Sequence, residues 1–138
     1  MTETELITEI RSWRGNRWRH GQALKGHGTD CIQWLVTIGR QAGWIPEAYK
    51  PPRYNRDWAL HNNESVLLQE IQRFCNPISH ATQPGDILIF KYGLTESHAG
   101  IYIGNNRMVH AHIRHGVIEE DINRYADKLQ SVWRPVNV

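Results

Sequence analysis

The chain has 138 residues and a net charge of +2, set by 16 basic and 14 acidic side chains, with 40% hydrophobic and 22% charged residues. These values suit a single globular domain over residues 1–138 with one core, and they exclude disordered and fibrous classes. The balanced charge argues against nucleic acid or a membrane surface as partner. No apolar run approaches the ~20 residues of a membrane span.

Thr4–Trp13 places Leu6, Ile7, Ile10 and Trp13 at helical spacing, which predicts an amphipathic helix ending near Gly15. Met1–Ile10 holds three Glu and no basic residue, unlike a secretory signal peptide. Arg17–Thr29 reads as loop. Asp30–Ala42 reads as a second helix, with Ile32, Leu35, Val36 and Gly39 on one face, Thr29 or Asp30 as its cap and Gly43 at its end. Trp44–Asn63 is rich in Pro, Tyr and Trp and reads as a long ordered loop, a common form for a functional element. Glu64–Cys75 is a third amphipathic helix, with Asn62 or Asn63 as cap and Leu67, Leu68, Ile71 and Phe74 facing inward.

After Pro84-Gly85 the hydrophobic period changes to two. Strands are expected at Asp86–Tyr92, His98–Gly104, Arg107–Ile113, Gly116–Glu120 and Ser131–Val136, with a short helix capped by Asp121 and running to Lys128. Helices first and meandering strands second define an α+β class, N-terminal helices on an antiparallel sheet.

Two cysteines, Cys31 and Cys75, cannot form a disulfide framework. Cys75 follows Phe74 on an inward face and reads as a buried small hydrophobe. Cys31 falls in the first turn of a helix, where unpaired N–H groups favour a thiolate and can hold an oxyanion. A thiol nucleophile needs an imidazole as base and acid, and that imidazole needs a polar group to fix its tautomer. His98 and His110 are the candidates, and His112, on the same face as His110, could replace it, line a groove, or simply be a polar strand residue.

For His98 and His110 to meet across adjacent strands they must project from one face. A plain two-residue turn at Asn105-Asn106 would pair Ile101 with His110 and send His98 to the opposite face. An odd-length loop or a bulge is therefore expected around Gly104 to Arg107, where Gly104 and Asn105 make positive φ easy.

Gly28-Thr29-Asp30-Cys31 before an apolar helix resembles the nucleophile motif of NlpC-type cell-wall peptidases, a papain-like family. Pro84-Gly85-Asp86-Ile87-Leu88-Ile89-Phe90 resembles the strand before their histidine, His98–Gly104 the histidine strand, and Met108-Val109-His110-Ala111 the strand with the third polar residue. Trp18-Arg19-His20, the Trp44–Asn63 insertion and Trp133-Arg134-Pro135 are most similar to the phage-tail and gene-transfer-agent subgroup.

The resemblance implies a cysteine endopeptidase that cuts the γ-D-glutamyl–diamino acid bond of peptidoglycan stem peptides, without a cofactor or metal. Phage tail proteins are further expected partners. The expected location is cytoplasmic until release, or virion-associated, with action at the bacterial wall. Cys31, His98 and His110 are the implied catalytic set; Asp30 and the Trp18 position are the implied substrate-binding ones, to which the strand-face reading adds His112. Two positions depart from the family: Trp18 stands where Tyr is frequent, and Ile32 where Ser often follows the cysteine.

Alternatives start from the same residues. The fold could serve as a structural or binding component of a phage tail, or the same dyad could pass its acyl group to an acceptor other than water. His98, His110, His112 and Cys31 also form a plausible zinc donor set. Trp13, Trp34 and Trp133 are assigned to packing, while Trp18, Trp44 and Trp58 could flank a groove. His20 and His27 read as loop residues, with groove-lining the other option, and His61 and His115 as surface. The arginines of Arg11–Arg19 read as a solvated helix end.

Overall fold

A computed structural model describes residues 1–58 and 65–136. The expected caps Asn62 and Asn63, and His61, lie outside the described residues.

Helix α1 (Glu3–Arg11) starts with a capping box in which the Thr2 hydroxyl accepts from the Glu5 N–H and the Glu5 carboxylate accepts from the Thr2 N–H. It buries Leu6 and Ile10, and Trp13 just beyond it is also buried. Two short strands, β1 (Ala23–Leu24) and β2 (Gly28–Thr29), form a small antiparallel ladder inside the stretch read as loop. Helix α2 (Cys31–Ala42) is capped by Asp30, whose Oδ1 accepts from the Gln33 N–H at 2.8 Å, and is closed by Gly43 at φ 83°. Helix α3 (Val66–Phe74) starts at Ser65, whose hydroxyl accepts from the Leu68 N–H and donates to the Glu96 carbonyl. Leu67 and Ile71 are buried on α3, while Leu68 and Phe74 pack at the core's margin.

Cys75 does not end that helix. It opens strand β3 (Cys75–Ile78), which the sequence reading missed. Pro77 explains the change, because the residue before a proline is driven to extended backbone, and a proline is tolerated in an edge strand. The remaining strands are β4 (Ile87–Tyr92), β5 (Thr95–Gly104), β6 (Arg107–His112), β7 (Gly116–Asp121) and β8 (Leu129–Pro135). A single 3-10 turn (Ile122–Tyr125) capped by Asp121 replaces the expected helix to Lys128.

The main sheet has the order β3-β8-β4-β5-β6-β7, and every pair is antiparallel. Alternation sorts the strand residues. Ile87, Ile89, Ala99, Ile101, Val109 and Ala111 share a core with α1, α2 and α3. Leu88, Phe90, Met108, Ile122 and Val132 form a smaller cluster on the opposite face, with Tyr102 and Tyr125 against it. The chain is thus α+β, as the element pattern implied.

The β5–β6 hairpin is irregular in the way the histidine argument requires. Asn105 and Asn106 both have positive φ (53° and 60°), which gives a tight two-residue turn. Gly104 pairs with Arg107, but the register shifts between Tyr102 and Gly104, so that Ile103 is the extra residue and Tyr102 pairs with Met108. His110 therefore lies opposite Gly100 rather than Ile101, and shares a face with His98.

Candidate active site

Cys31 sits where strands part. Strand β6 pairs with β5 only from Gly100 onward, while β5 from Thr95 to Ala99 pairs with β4. A second bulge lies here: Phe90 faces His98 and Lys91 faces Glu96, so Ser97 is the extra residue. The first turn of α2 meets this stretch of backbone. The Cys31 thiol approaches the Ser97 carbonyl at 3.8 Å.

Burial pushes the Cys31 thiol up to about 12, with the Asp30 carboxylate adding to the shift. The N–H groups of Ala99, Cys31 and Ile32 act in the opposite direction and do not prevail. The expectation that a helix start alone lowers this thiol's pKa is therefore corrected: desolvation outweighs the helix terminus.

His98 is partly buried between Phe90 and Tyr92, whose rings each lie 5.9 Å from its own. Its Nε2 is 2.7 Å from His110 Nδ1. Burial first, then the neighbouring His110 and His112, hold His98 well below the ordinary imidazole value. His110 is buried, and its Nε2 is 2.7 Å from Glu120 Oε2. Burial lowers His110 despite the opposing pull of Glu120. The same Glu120 oxygen accepts from the Tyr125 hydroxyl at 2.7 Å, and Arg124 Nε stands 3.6 Å from the other oxygen. Burial works to raise the Glu120 pKa, but the bonds from Tyr125 and His110 outweigh it and the carboxyl stays below its ordinary value. Glu120 and Tyr125 were not among the residues singled out in the sequence. The one available signal was that Glu120 lies on the strand next to His110.

A groove of about 440 Å³ runs past Cys31 and His98 and is also lined by Trp18, Asp30 and His112. His110 does not line it, and stands behind His98. It is His110, not His112, whose ring nitrogen meets His98. His112 Nδ1 accepts from the backbone N–H groups of Arg114 and His115, and its ring stacks on His115 at 4.6 Å. The histidine nitrogens therefore do not converge on one centre. Among the described residues no group of three or more His, Cys, Asp or Glu is placed to hold a metal ion.

Asp30 is buried, and its carboxylate serves the fold. Besides capping α2 it accepts from the Gly21 N–H at 2.7 Å and from the Tyr54 hydroxyl at 2.5 Å. Tyr54 comes from the long loop after α2 and brings a hydroxyl to the groove, which Trp18 and Ile32 also line. Trp58 and His20 also line the groove, whereas Trp44 is buried elsewhere in the core and His27 is exposed. The arginine-rich stretch is partly neutralised, since Arg11 and Arg14 both pair with Glu119.

A helix-start cysteine and a histidine carried on a sheet, lining one groove of an α+β fold, define a domain with a thiol–imidazole site. The chain belongs to the NlpC/P60 family, whose model matches residues 13–134. It is 29% identical over 122 residues to the murein DD-endopeptidase MepS/murein LD-carboxypeptidase of Escherichia coli K12, covering 88% of this chain and 55% of that protein. The chain thus spans about half the length of this curated relative. A solved NlpC/P60 family protein from Bacillus cereus superposes with a TM-score of 0.68 at 19% identity, over 96% of this chain and 39% of the other. NlpC2 from Trichomonas vaginalis gives a TM-score of 0.69 at 18% identity, over 96% and 46%.

Proposed function

We propose that this chain is a cysteine peptidase that hydrolyses a peptide bond in bacterial peptidoglycan stems, the γ-D-glutamyl–diamino acid bond. The observation that carries the reading is the His98–His110 pair at 2.7 Å, placed where His98 and Cys31 line one groove. The E. coli relative's name, a murein endopeptidase, supports the substrate class.

His98 takes the thiol proton, and Cys31 Sγ attacks the scissile carbonyl carbon. Burial penalises a lone thiolate and a lone imidazolium alike, but transfer within the pair leaves the pair's net charge at zero. The Cys31 N–H at the start of α2 stabilises the oxyanion. His98 then protonates the leaving amine, giving a thioester. Next it takes a proton from water, whose oxygen attacks the thioester carbon, and the thiol is restored as the acid departs. His110 keeps the His98 ring oriented throughout. Trp18 and His112 contact the peptide along the groove, while Asp30 acts through Tyr54.

Digestion of purified peptidoglycan, with mass analysis of the fragments, tests this. Wild type should release peptides cut after γ-D-glutamate, and Cys31→Ala should release none while keeping its fold. Equal digestion by the two proteins, or none by wild type, refutes the proposal.

A further inference from the structure

We propose that Glu120 is the positioning residue that sets the proton direction through both imidazoles and leaves His98 Nδ1 open to accept the thiol proton. The inference rests on the proposed thiol chemistry for its purpose, but on hydrogen bonding alone for its logic.

An ionised carboxylate can only accept. Glu120 Oε2 lies 2.7 Å from His110 Nε2, so that nitrogen carries the proton. A neutral His110 is then an acceptor at Nδ1. His98 Nε2 lies 2.7 Å from that Nδ1, so the shared proton belongs to His98 Nε2. A neutral His98 protonated on Nε2 bears its lone pair on Nδ1, the nitrogen left for the groove that it lines with Cys31. The proton from Cys31 Sγ therefore goes to His98 Nδ1, while the Nε2–H keeps donating to His110. Glu120 takes up no proton at any step.

Two neighbours hold the carboxylate ionised and aimed. The Tyr125 hydroxyl donates to the same oxygen at 2.7 Å, and Arg124 approaches the other at 3.6 Å. Burial of His110 keeps solvent from redirecting its ring. With an amide in place of Glu120, position 120 could donate to His110 Nε2. His110 would then carry its proton on Nδ1 and donate to His98 Nε2. His98 would in turn hold its proton on Nδ1, where it cannot act as base. The remote carboxylate thus acts through His110, as the acid of a triad acts through its histidine.

Nitrogen-15 NMR of the imidazole side chains in the full chain reads the tautomers without any reaction. Wild type should show His98 and His110 both protonated on Nε2. In Glu120→Gln, His98 should shift toward the Nδ1–H form. On peptidoglycan fragments its kcat should fall on the order of 10²-fold with KM within about twofold, and Glu120→Asp should recover part of the loss. A proton on His98 Nδ1 in wild type overturns the proposal, even if no variant folds. So does a Glu120→Gln protein with wild-type tautomers, or with kcat within about threefold of wild type. If wild type releases no peptide at all, the peptidase reading fails, and the tautomer pattern still decides the role of Glu120.

Discussion

Cys31 and His98 each sit in surroundings that disfavour their own charge. The thiol is pushed up to about 12 and the imidazole well below its usual value, both chiefly by burial. The reactive form is therefore a property of the pair. In His98→Ala the thiol loses its proton acceptor, so Cys31 alkylation by iodoacetamide at pH 7 should slow by at least about tenfold relative to wild type. An unchanged rate would mean that the helix start suffices to activate the thiol. Asp30 shows a second lesson at this scale: one carboxylate caps α2, ties down Gly21 and receives the Tyr54 hydroxyl. Tyr54→Phe should leave the fold intact, since the cap bond to Gln33 remains, and should weaken peptide cleavage several-fold, read as kcat/KM on stem-peptide fragments.

At the scale of elements, the β5–β6 hairpin decides whether the two histidines meet. Its two-residue turn would put them on opposite faces, and the extra residue before Gly104 restores them to one. Gly104 holds φ 96°, which a residue with a Cβ adopts only under strain, although open space surrounds the position. Gly104→Ala should therefore cost about 1–2 kcal/mol in chemical denaturation. Activity per folded molecule should be close to wild type, because the register is set by the whole ladder. The β4–β5 bulge at Ser97 and the parting of β5 from β6 do related work for Cys31. They leave strand backbone for the first turn of α2 to meet, as the contact between the thiol and the Ser97 carbonyl shows.

Across the whole molecule, the loop before β4 is fastened to the last strand by one buried carboxylate. Asp86 accepts from the Thr82 and Gln83 N–H groups and from two nitrogens of Arg134, each contact between 2.9 and 3.0 Å. Burial works to raise the Asp86 pKa, but Arg134 and the two N–H groups outweigh it and hold the carboxyl below its ordinary value. A folded-state pKa below the unfolded one stabilises the fold above the unfolded value, near 3.8, and that contribution is lost as pH falls through the folded value. Asp86→Asn should lower Tm by roughly 3–6 °C at pH 7. The gap to wild type should close in melts taken well below pH 4.

The sequence by itself determined α1, α2 and α3, the alternation of the strands after Pro84-Gly85 and the place of Cys31 at a helix start. It also determined that the hairpin joining His98 and His110 must carry an odd-length loop or a bulge if the two act together. All of these follow from local periodicity, capping chemistry and the two-residue repeat of a strand, which neighbouring residues express. Only the tertiary structure decided that Glu120 stands behind His110, that Tyr54 reaches Asp30 and that desolvation overrides the helix terminus at Cys31. Those contacts join side chains on different elements, 10 and 24 residues apart in the chain. Local pattern carries no information about which distant side chains share a site, nor about how much water packing removes from a thiol.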